Sequence, residues 1–302
     1  MRIKKNLGWL GVLPLIAVLL SGCDAALVDP KGQIGVELKS LIITAFWLMM
    51  IVVIPVIIMT VVFAWKYRHS NHAAKYMPDW AHSNKIEAVV WLVPCVIILF
   101  LGIITWKTSH SLDPHKPLAP KGETMEVQVV ALDWKWLFIY PKQGIATVNE
   151  VAMPVDVPVH FRVTSASVMN SFFIPTLGSQ IYAMAGMDND VYLVANEAGV
   201  YAGKSSNYSG KGFAEMTFDA LALPQDDFDA WVEKVRESPK TLTFNGSYQE
   251  LAEPSTDHPV EYFSDVTPNL YGKIIKSFKG GNGQGEHGEG HGETTMSAEA
   301  AE

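Results

Sequence analysis

Two long runs without a charged side chain lie in the first third of the 302-residue chain. The first extends from Leu41 to Trp65 and the second from Ala88 to Trp106. At about 1.5 Å per helical residue, such runs are long enough to cross roughly 30 Å of hydrocarbon. Pro55 and Pro94 lie inside them, where neighbouring helices can satisfy the freed carbonyls. The sequence therefore predicts two transmembrane helices, each with a proline kink.

The N-terminus begins with basic residues, and the apolar segment that follows, Leu10–Leu20, is too short to span a bilayer. This pattern is typical of a signal peptide. The residues Leu20-Ser21-Gly22-Cys23 resemble the lipobox of bacterial lipoproteins, in which cleavage leaves the cysteine as a lipid-carrying N-terminus. We therefore expect residues 1–22 to be removed and Cys23 to be the lipid attachment site. The alternative is a chance cysteine beside an ordinary signal sequence.

The segment between the two runs, residues 66–87, carries an excess of positive charge. A loop of this kind is expected on the cytoplasmic side. The lipidated residues 23–40 and everything after the second run then lie in the periplasm, which places the chain in the bacterial inner membrane. The charges are Lys66, Arg68, Lys75 and Lys85 against Asp79, before Glu87.

Beyond a linker at residues 107–122, the hydrophobic period changes from that of a helix to that of a strand. Regular strands separated by Gly, Pro, Asn and Ser predict a Greek-key β-sandwich or barrel over residues 123–222. A helical period returns at Pro224–Ser238 and, more weakly, at Asn269–Phe278, so residues 223–279 are predicted to form a C-terminal helical extension. The predicted fold class is an α+β membrane protein. The predicted strands are Glu126–Val130, Val157–Val163, Asp190–Val194 and Phe213–Phe218.

The C-terminal residues 280–302 are rich in Gly, Glu and Ala and include His287 and His291. Because this composition buries little apolar surface, we expect a disordered tail. Two histidines in flexible glycine provide no fixed geometry for a metal ion.

The segment Val127–Pro141 resembles the aromatic signature that opens the cupredoxin domain of haem-copper oxidase subunit II. The motif His82–Glu87, with Trp91 and Pro94, and the order of lipobox, spans and sandwich follow the same family. The resemblance covers Cys23 to Phe278. It implies a place in a proton-translocating terminal oxidase beside subunits I, III and IV and in contact with membrane lipids.

In the cytochrome c oxidases of that family, this domain holds a dinuclear copper centre. At the matching positions of this chain only the methionine remains, and hydroxyl and phenyl groups offer copper no soft ligand. The resemblance therefore implies the quinol oxidase branch, closest to the cytochrome bo type, with ubiquinol as substrate and no cytochrome c partner. We expect no metal or redox cofactor in this chain, with the haems and copper in subunit I. The six positions are Asn170, Ser205, Asn207, Ser209, Phe213 and Met216.

Three further residues have candidate roles that the resemblance suggests. Glu87 matches the family's glutamate at the mouth of a proton channel, although from the residues alone an interfacial acid at a helix end is the simpler reading. Trp134 matches an electron-entry residue, but with no donor or acceptor here, core packing together with Trp136 is expected. A quinol pocket at Asn207 and Tyr208 is an alternative that the membrane solubility of quinol disfavours.

The net charge of the chain is −8, and its sequence lacks the clustered Lys and Arg that bind nucleic acid. Two cysteines, Cys23 and Cys95, provide neither a disulfide framework nor a cysteine-ligated cluster. Two other functions stay open from the residues alone. They are a membrane-tethered copper electron carrier, and a periplasmic lipoprotein that binds partners or solutes without an oxidase role.

Overall fold

The computed structural model describes residues 27–73, 77, 80–118 and 124–279. Two long helices come first, α1 at Gln33–Lys66 and α2 at Asn84–Ser111. Both are long and apolar enough to cross a membrane, as predicted. Each extends beyond its uncharged run, because backbone hydrogen bonding continues through flanking polar residues such as Glu37. The predicted signal peptide, Cys23 and the tail at 280–302 lie outside the described residues.

A β-sandwich and a C-terminal extension follow the two helices. The six-stranded sheet has the order β12-β3-β2-β1-β5-β8, and the five-stranded sheet has the order β4-β10-β9-β6-β7. The pairs β1/β5 and β4/β10 are parallel, and the other pairs within these two sheets are antiparallel. The strands are β1 Met125–Leu132, β2 Lys135–Tyr140, β3 Ile145–Val148, β4 Glu150–Pro154, β5 Val159–Ser165, β6 Asn170–Phe173, β7 Ile181–Ala183, β8 Asn189–Leu193, β9 Gly199–Ser205, β10 Thr217–Leu223, β11 Thr241–Leu242, β12 Glu261–Phe263 and β13 Asp265–Val266; the remaining helices are α3 Gln225–Arg236, α4 Ser247–Ala252 and α5 Leu270–Lys279.

The sandwich core lies between the two sheets and is rich in aromatic side chains. Trp136 packs edge-to-face against Phe172 and Phe218, whose rings are stacked with centroids 5.3 Å apart. Such aromatic pairs contribute about 0.5–1.5 kcal/mol beyond their buried area. This core confirms the predicted two-layer sandwich.

A second hydrophobic core lies on the outer face of the six-stranded sheet, beneath the C-terminal extension. Leu137 and Ile139 of β2 contribute to it from the sheet, and Tyr271 and Ile274 of α5 contribute from the extension. Every residue of β2 is therefore buried. This accounts for the continuous apolar sequence of that strand, since a strand covered on both faces does not alternate.

Two sequence predictions differ from the structure. The predicted strand Phe213–Phe218 is wrong in its first half, because β10 begins at Thr217 and a turn precedes it, with Met216 N–H donating to the carbonyl of Phe213. The extension is not purely helical, because β12 adds to the edge of the six-stranded sheet and β11 pairs with β13. These strands have only two or three residues, too few to reveal a period.

The start of α1 is attached to the sandwich at two loops. The backbone N–H groups of Lys31 and Gly35 donate to the carbonyls of Thr176 and Leu177, at 2.9 and 3.1 Å. A Cβ at Gly32 would lie 2.6 Å from two backbone carbonyl oxygens, so only glycine permits this approach. The first long helix is thus joined to the sandwich by main-chain contacts.

Strand β9 provides a test of the core packing, because its two glycines have different surroundings. A Cβ at Gly203 would overlap the ring of Phe218, whereas one at Gly199 would lie 3.6 Å from its nearest neighbour. We expect Gly203→Ala to lower the free energy of unfolding by about 1–3 kcal/mol, as in other overpacked cores. Thermal unfolding of the full-length chain measures this loss.

The matched control is Gly199→Ala, which should stay within about 0.5 kcal/mol of the parent. Equal losses in the two variants would contradict the packing described for Phe218.

Candidate functional site

Three connecting segments meet at one end of the sandwich. They are the β1–β2 turn at residues 133–134, the β5–β6 connection at 166–169, and the β9–β10 loop, here the 205–216 loop. Trp134 Nε1–H donates to the carbonyl of Ser209 at 3.0 Å, and Asn207 Nδ2–H donates to that of Met169 at 3.0 Å. The six positions singled out in the sequence lie in or beside this loop.

Ser205 and Asn170 are at the centre of a hydrogen-bonded cluster, and both are almost fully buried. The Ser205 hydroxyl faces Asn170 Oδ1 at 3.1 Å and the carbonyl of Asn207 at 3.3 Å, and it accepts from the N–H of Ser171 at 3.4 Å. Asn170 Nδ2–H donates to the carbonyl of Val168 at 3.0 Å. The polar groups at these positions are therefore satisfied by protein partners.

The other half of the loop is more apolar. Met216 is buried, with Sδ 4.0 Å from Ser209 Oγ. The Phe213 ring packs edge-on against Tyr208, with centroids 5.5 Å apart. Tyr208 is 75% exposed, so it forms no enclosed pocket of the kind a quinone ring needs.

Trp134 has a backbone conformation that is rare for a bulky residue, with φ of 64°. Its indole lies against Gly210 and Gly212, where a Cβ at Gly212 would come within 2.6 Å of the ring. Trp136 is fully buried, as expected, whereas Trp134 lies half-buried at the edge of the core. The prediction of core packing thus holds fully for Trp136 and only in part for Trp134.

The donor set at this site does not fit a dinuclear copper centre. Apart from Met216, the side chains present are hydroxyls, amides and a phenyl ring, and the buried hydroxyl of Ser205 already has protein partners. Within the described parts of the chain, no three His, Cys, Asp or Glu side chains form a group that could hold a metal ion. A cavity of about 340 Å³ beside Ser205, Phe213 and Met216 is lined by hydroxyl, apolar and lysine side chains.

Glu87 lies apart from this cluster, in the first turn of α2, where the helix dipole favours a negative charge. Its side chain is exposed on the surface of this chain, and so is that of Cys95 farther along the same helix. The candidate residues therefore divide into a loop cluster in the sandwich and a single acid at the start of a long apolar helix.

Sequence reasoning missed two polar residues near the loop, Gln180 and Lys135. Ser171 and Ser206 both donate to Gln180 Oε1, which joins β6, the loop and the β6–β7 connection. Lys135 is only 1% exposed, although it stands between two tryptophans of the aromatic signature. A lysine inside an otherwise apolar strand was the available signal, because such a residue needs buried partners.

Two family models match the sandwich and the C-terminal extension. The family model "Cytochrome C oxidase subunit II, periplasmic domain" matches residues 125–230, and "COX Aromatic Rich Motif" matches residues 236–282. The periplasmic domain of subunit II of cytochrome oxidase from Bradyrhizobium japonicum has a TM-score of 0.37 at 26% identity, covering 39% of this chain and 96% of that chain. The sandwich and the matched segments define an oxidase subunit II periplasmic domain.

Two relatives that are similar over most of their length indicate the group within this family. "Cytochrome bo(3) ubiquinol oxidase subunit 2" of Pseudomonas aeruginosa is 56% identical over 96% of this chain and 88% of its own length. "Ubiquinol oxidase subunit 2" of Acetobacter aceti is 55% identical over 88% of this chain and 86% of its own length. The chain therefore belongs to the oxidase subunit II family, in the group of ubiquinol oxidase subunits 2.

The Ser205 cluster predicts a specific cost of substitution. Asn170→Ala removes an acceptor of the buried Ser205 hydroxyl, and we expect a loss of about 1–3 kcal/mol in the free energy of unfolding. Thermal unfolding of the full-length chain is the measurement.

Ser206→Ala is the control, because it removes a neighbouring but exposed hydroxyl and should change stability by less than about 0.5 kcal/mol. An Asn170→Ala variant as stable as this control would contradict the central place of Asn170.

Proposed function

We propose that this chain is the non-redox subunit II of a terminal oxidase that transfers electrons from ubiquinol to dioxygen. The observation that carries the proposal is the loop cluster, in which hydroxyl, amide and phenyl groups stand where the family's copper-binding members have ligands. The 56% identity to a ubiquinol oxidase subunit over nearly the whole chain supports the same reaction.

In this proposal, the haems and the copper of the complex belong to subunit I, and subunits III and IV complete the assembly. A loop that binds no copper cannot pass electrons from cytochrome c, so ubiquinol delivers them directly to the membrane-embedded subunit. The chain contributes a folded periplasmic domain and two helices whose apolar surfaces are exposed for contact with lipid and partner helices.

Glu87 has the second role in the proposal, as an entry point for protons. It is an exposed acid at the start of a long apolar helix, on the side where positive residues of the connecting loop indicate the cytoplasm. A carboxylate at the membrane boundary can exchange protons with water and pass them to a neighbouring subunit.

The location is the bacterial inner membrane, with the sandwich in the periplasm. The two long helices and the periplasmic-type domain support this placement. Lipid attachment at Cys23 is part of the proposal, and the lipobox Leu20-Ser21-Gly22-Cys23 supports it. Mass spectrometry of the mature N-terminus would detect the lipid.

Oxygen uptake by the complex purified through a tag on this chain tests the reaction. We expect haem to co-purify, ubiquinol to support oxygen consumption, and reduced cytochrome c to support none. Consumption with cytochrome c would contradict the loss of the copper route. Purification of the chain without haem from gently solubilised membranes would instead favour a lipoprotein with no oxidase role.

Glu87→Gln tests proton entry. Because an amide cannot take up and release a proton as an acid or base near neutral pH, we expect ubiquinol-driven turnover to fall several-fold while the haem content stays constant. Glu37→Gln is the matched control, since Glu37 is an exposed acid near the start of α1. In the proposed topology it lies on the other side of the membrane from Glu87. Unchanged turnover in Glu87→Gln, or an equal fall in both variants, would remove this role from Glu87.

A further inference from the structure

Lys135 is a buried cation that the proposed function does not use. Its ammonium group donates to the carbonyl of Glu253 at 2.7 Å and to the hydroxyl of Ser255. Both partners lie in the segment of residues 253–260, here the crossing segment, which connects α4 to β12 in the C-terminal extension. Burial lowers the pKa of Lys135, and the carboxylates of Asp133 and Glu261 oppose that effect.

The hydrogen bonds of Lys135 continue through the crossing segment to the surface. Ser255 Oγ lies 3.0 Å from His258 Nδ1, and His258 Nε2 lies 2.8 Å from Glu261 Oε1. If Ser255 accepts from Lys135, its own hydroxyl hydrogen is directed to His258, whose other nitrogen then donates to Glu261. This chain of hydrogen bonds thus joins the buried Lys135 ammonium group to the carboxylate of Glu261 on β12.

The crossing segment has a second attachment next to the first. Asn149 Nδ2–H donates to the carbonyl of His258 at 2.7 Å, and Asn149 Oδ1 accepts the N–H of Trp136 at 2.9 Å. The crossing segment is therefore attached to both residues at the start of β2, to the Lys135 side chain directly and to the Trp136 backbone through Asn149.

The crossing segment also contacts the 205–216 loop. A Cβ added at Gly212 would lie 2.7 Å from Thr256 Cγ2 and 2.6 Å from the indole of Trp134. Gly212 is therefore enclosed between the crossing segment and Trp134. Trp134 also binds Ser209 through its indole N–H. Trp134, in a strained backbone conformation, thus holds the loop next to Lys135, the residue to which the extension is attached.

We infer that the C-terminal extension clamps the 205–216 loop, so that the order of the loop depends on the attachment of the crossing segment through Lys135. Between Ser206 and Met216 the loop is not part of a strand. Its first residues, Ser206 and Asn207, bind Ser171 and Met169, whereas the backbone bonds of residues 210–216 stay within the loop. The extension contacts the loop at Gly212 through Thr256, and Trp134, next to Lys135 in the chain, binds the loop at Ser209. This inference concerns the fold of the loop and is independent of which electron donor the complex uses.

Hydrogen–deuterium exchange of the full-length chain in its purified complex tests the clamp. Lys135→Met keeps an apolar stem of similar length but removes the ammonium donors. We expect amides of both the crossing segment and the 205–216 loop to exchange about tenfold faster or more, since charged hydrogen bonds are lost. Amides of β5 should keep their protection. Faster exchange in the crossing segment with an unchanged loop would overturn the inference.

Arg162→Met is the matched control. Arg162 also anchors the extension to the sheet, because it lies 5.2 Å from the ring centroid of Tyr271 in α5 and binds Asp188, which accepts from the Tyr271 hydroxyl. It does not contact the crossing segment or the loop. We expect faster exchange in α5 and an unchanged 205–216 loop, and a loop loosened equally by both variants would overturn a clamp through Lys135.

Ser255→Ala removes one acceptor without removing the lysine, and it decides the question if Lys135→Met fails to accumulate. The coupling must also act in reverse, because an interaction free energy between two segments is reciprocal. Gly212→Ala, whose new methyl group would press on Thr256, should therefore accelerate exchange in the crossing segment. Unchanged exchange there in Gly212→Ala would contradict the contact.

Discussion

Burial of strand β2 on both faces is the constraint on which the rest of the periplasmic structure depends. One face packs in the aromatic core between the two sheets, and the other lies under the C-terminal extension. The first residue of this strand, Lys135, brings a charge into the same environment, where an unpaired ammonium would be strongly disfavoured. The strand therefore requires both the extension above it and the polar segment that the extension carries to Lys135.

The loop cluster follows from the same balance of burial and hydrogen bonding. A chain with hydroxyls and amides at buried loop positions must provide partners for each of them. The Ser205 hydroxyl has Asn170 Oδ1 and the carbonyl of Asn207, and Asn170 Nδ2–H donates to the carbonyl of Val168. Copper ligation and this network are alternative ways of ordering one end of a sandwich. In this chain the side chains are suited to the network.

Much of the fold could be predicted from sequence because its signals are local. Uncharged runs predict the two long helices, and alternation predicts four of the eleven strands of the two sheets, namely β1, β5, β8 and the start of β10. The loop cluster was accessible only by comparing positions with a known ligand pattern. The burial of Lys135 could not be predicted from sequence, because its partners Glu253 and Ser255 lie more than a hundred positions farther along the chain. Likewise, no local sequence pattern predicts the positive φ of Trp134.

The loop and the C-terminal extension meet at one end of the sandwich, where Gly212 lies beside Thr256. The 205–216 loop is held by Ser205, the last residue of β9, and by Trp134 in the β1–β2 turn. Helix α1 is joined to the β6–β7 connection, where the N–H groups of Lys31 and Gly35 donate to Thr176 and Leu177.

The most direct test of the central claim is the electron paramagnetic resonance spectrum of the purified, air-oxidised complex before and after incubation with copper. We expect no mixed-valence dinuclear copper signal in either spectrum, because the 205–216 loop offers only one soft ligand. A dinuclear copper signal that disappears in a Met216→Leu variant would contradict the assignment of this chain as a subunit without a redox centre.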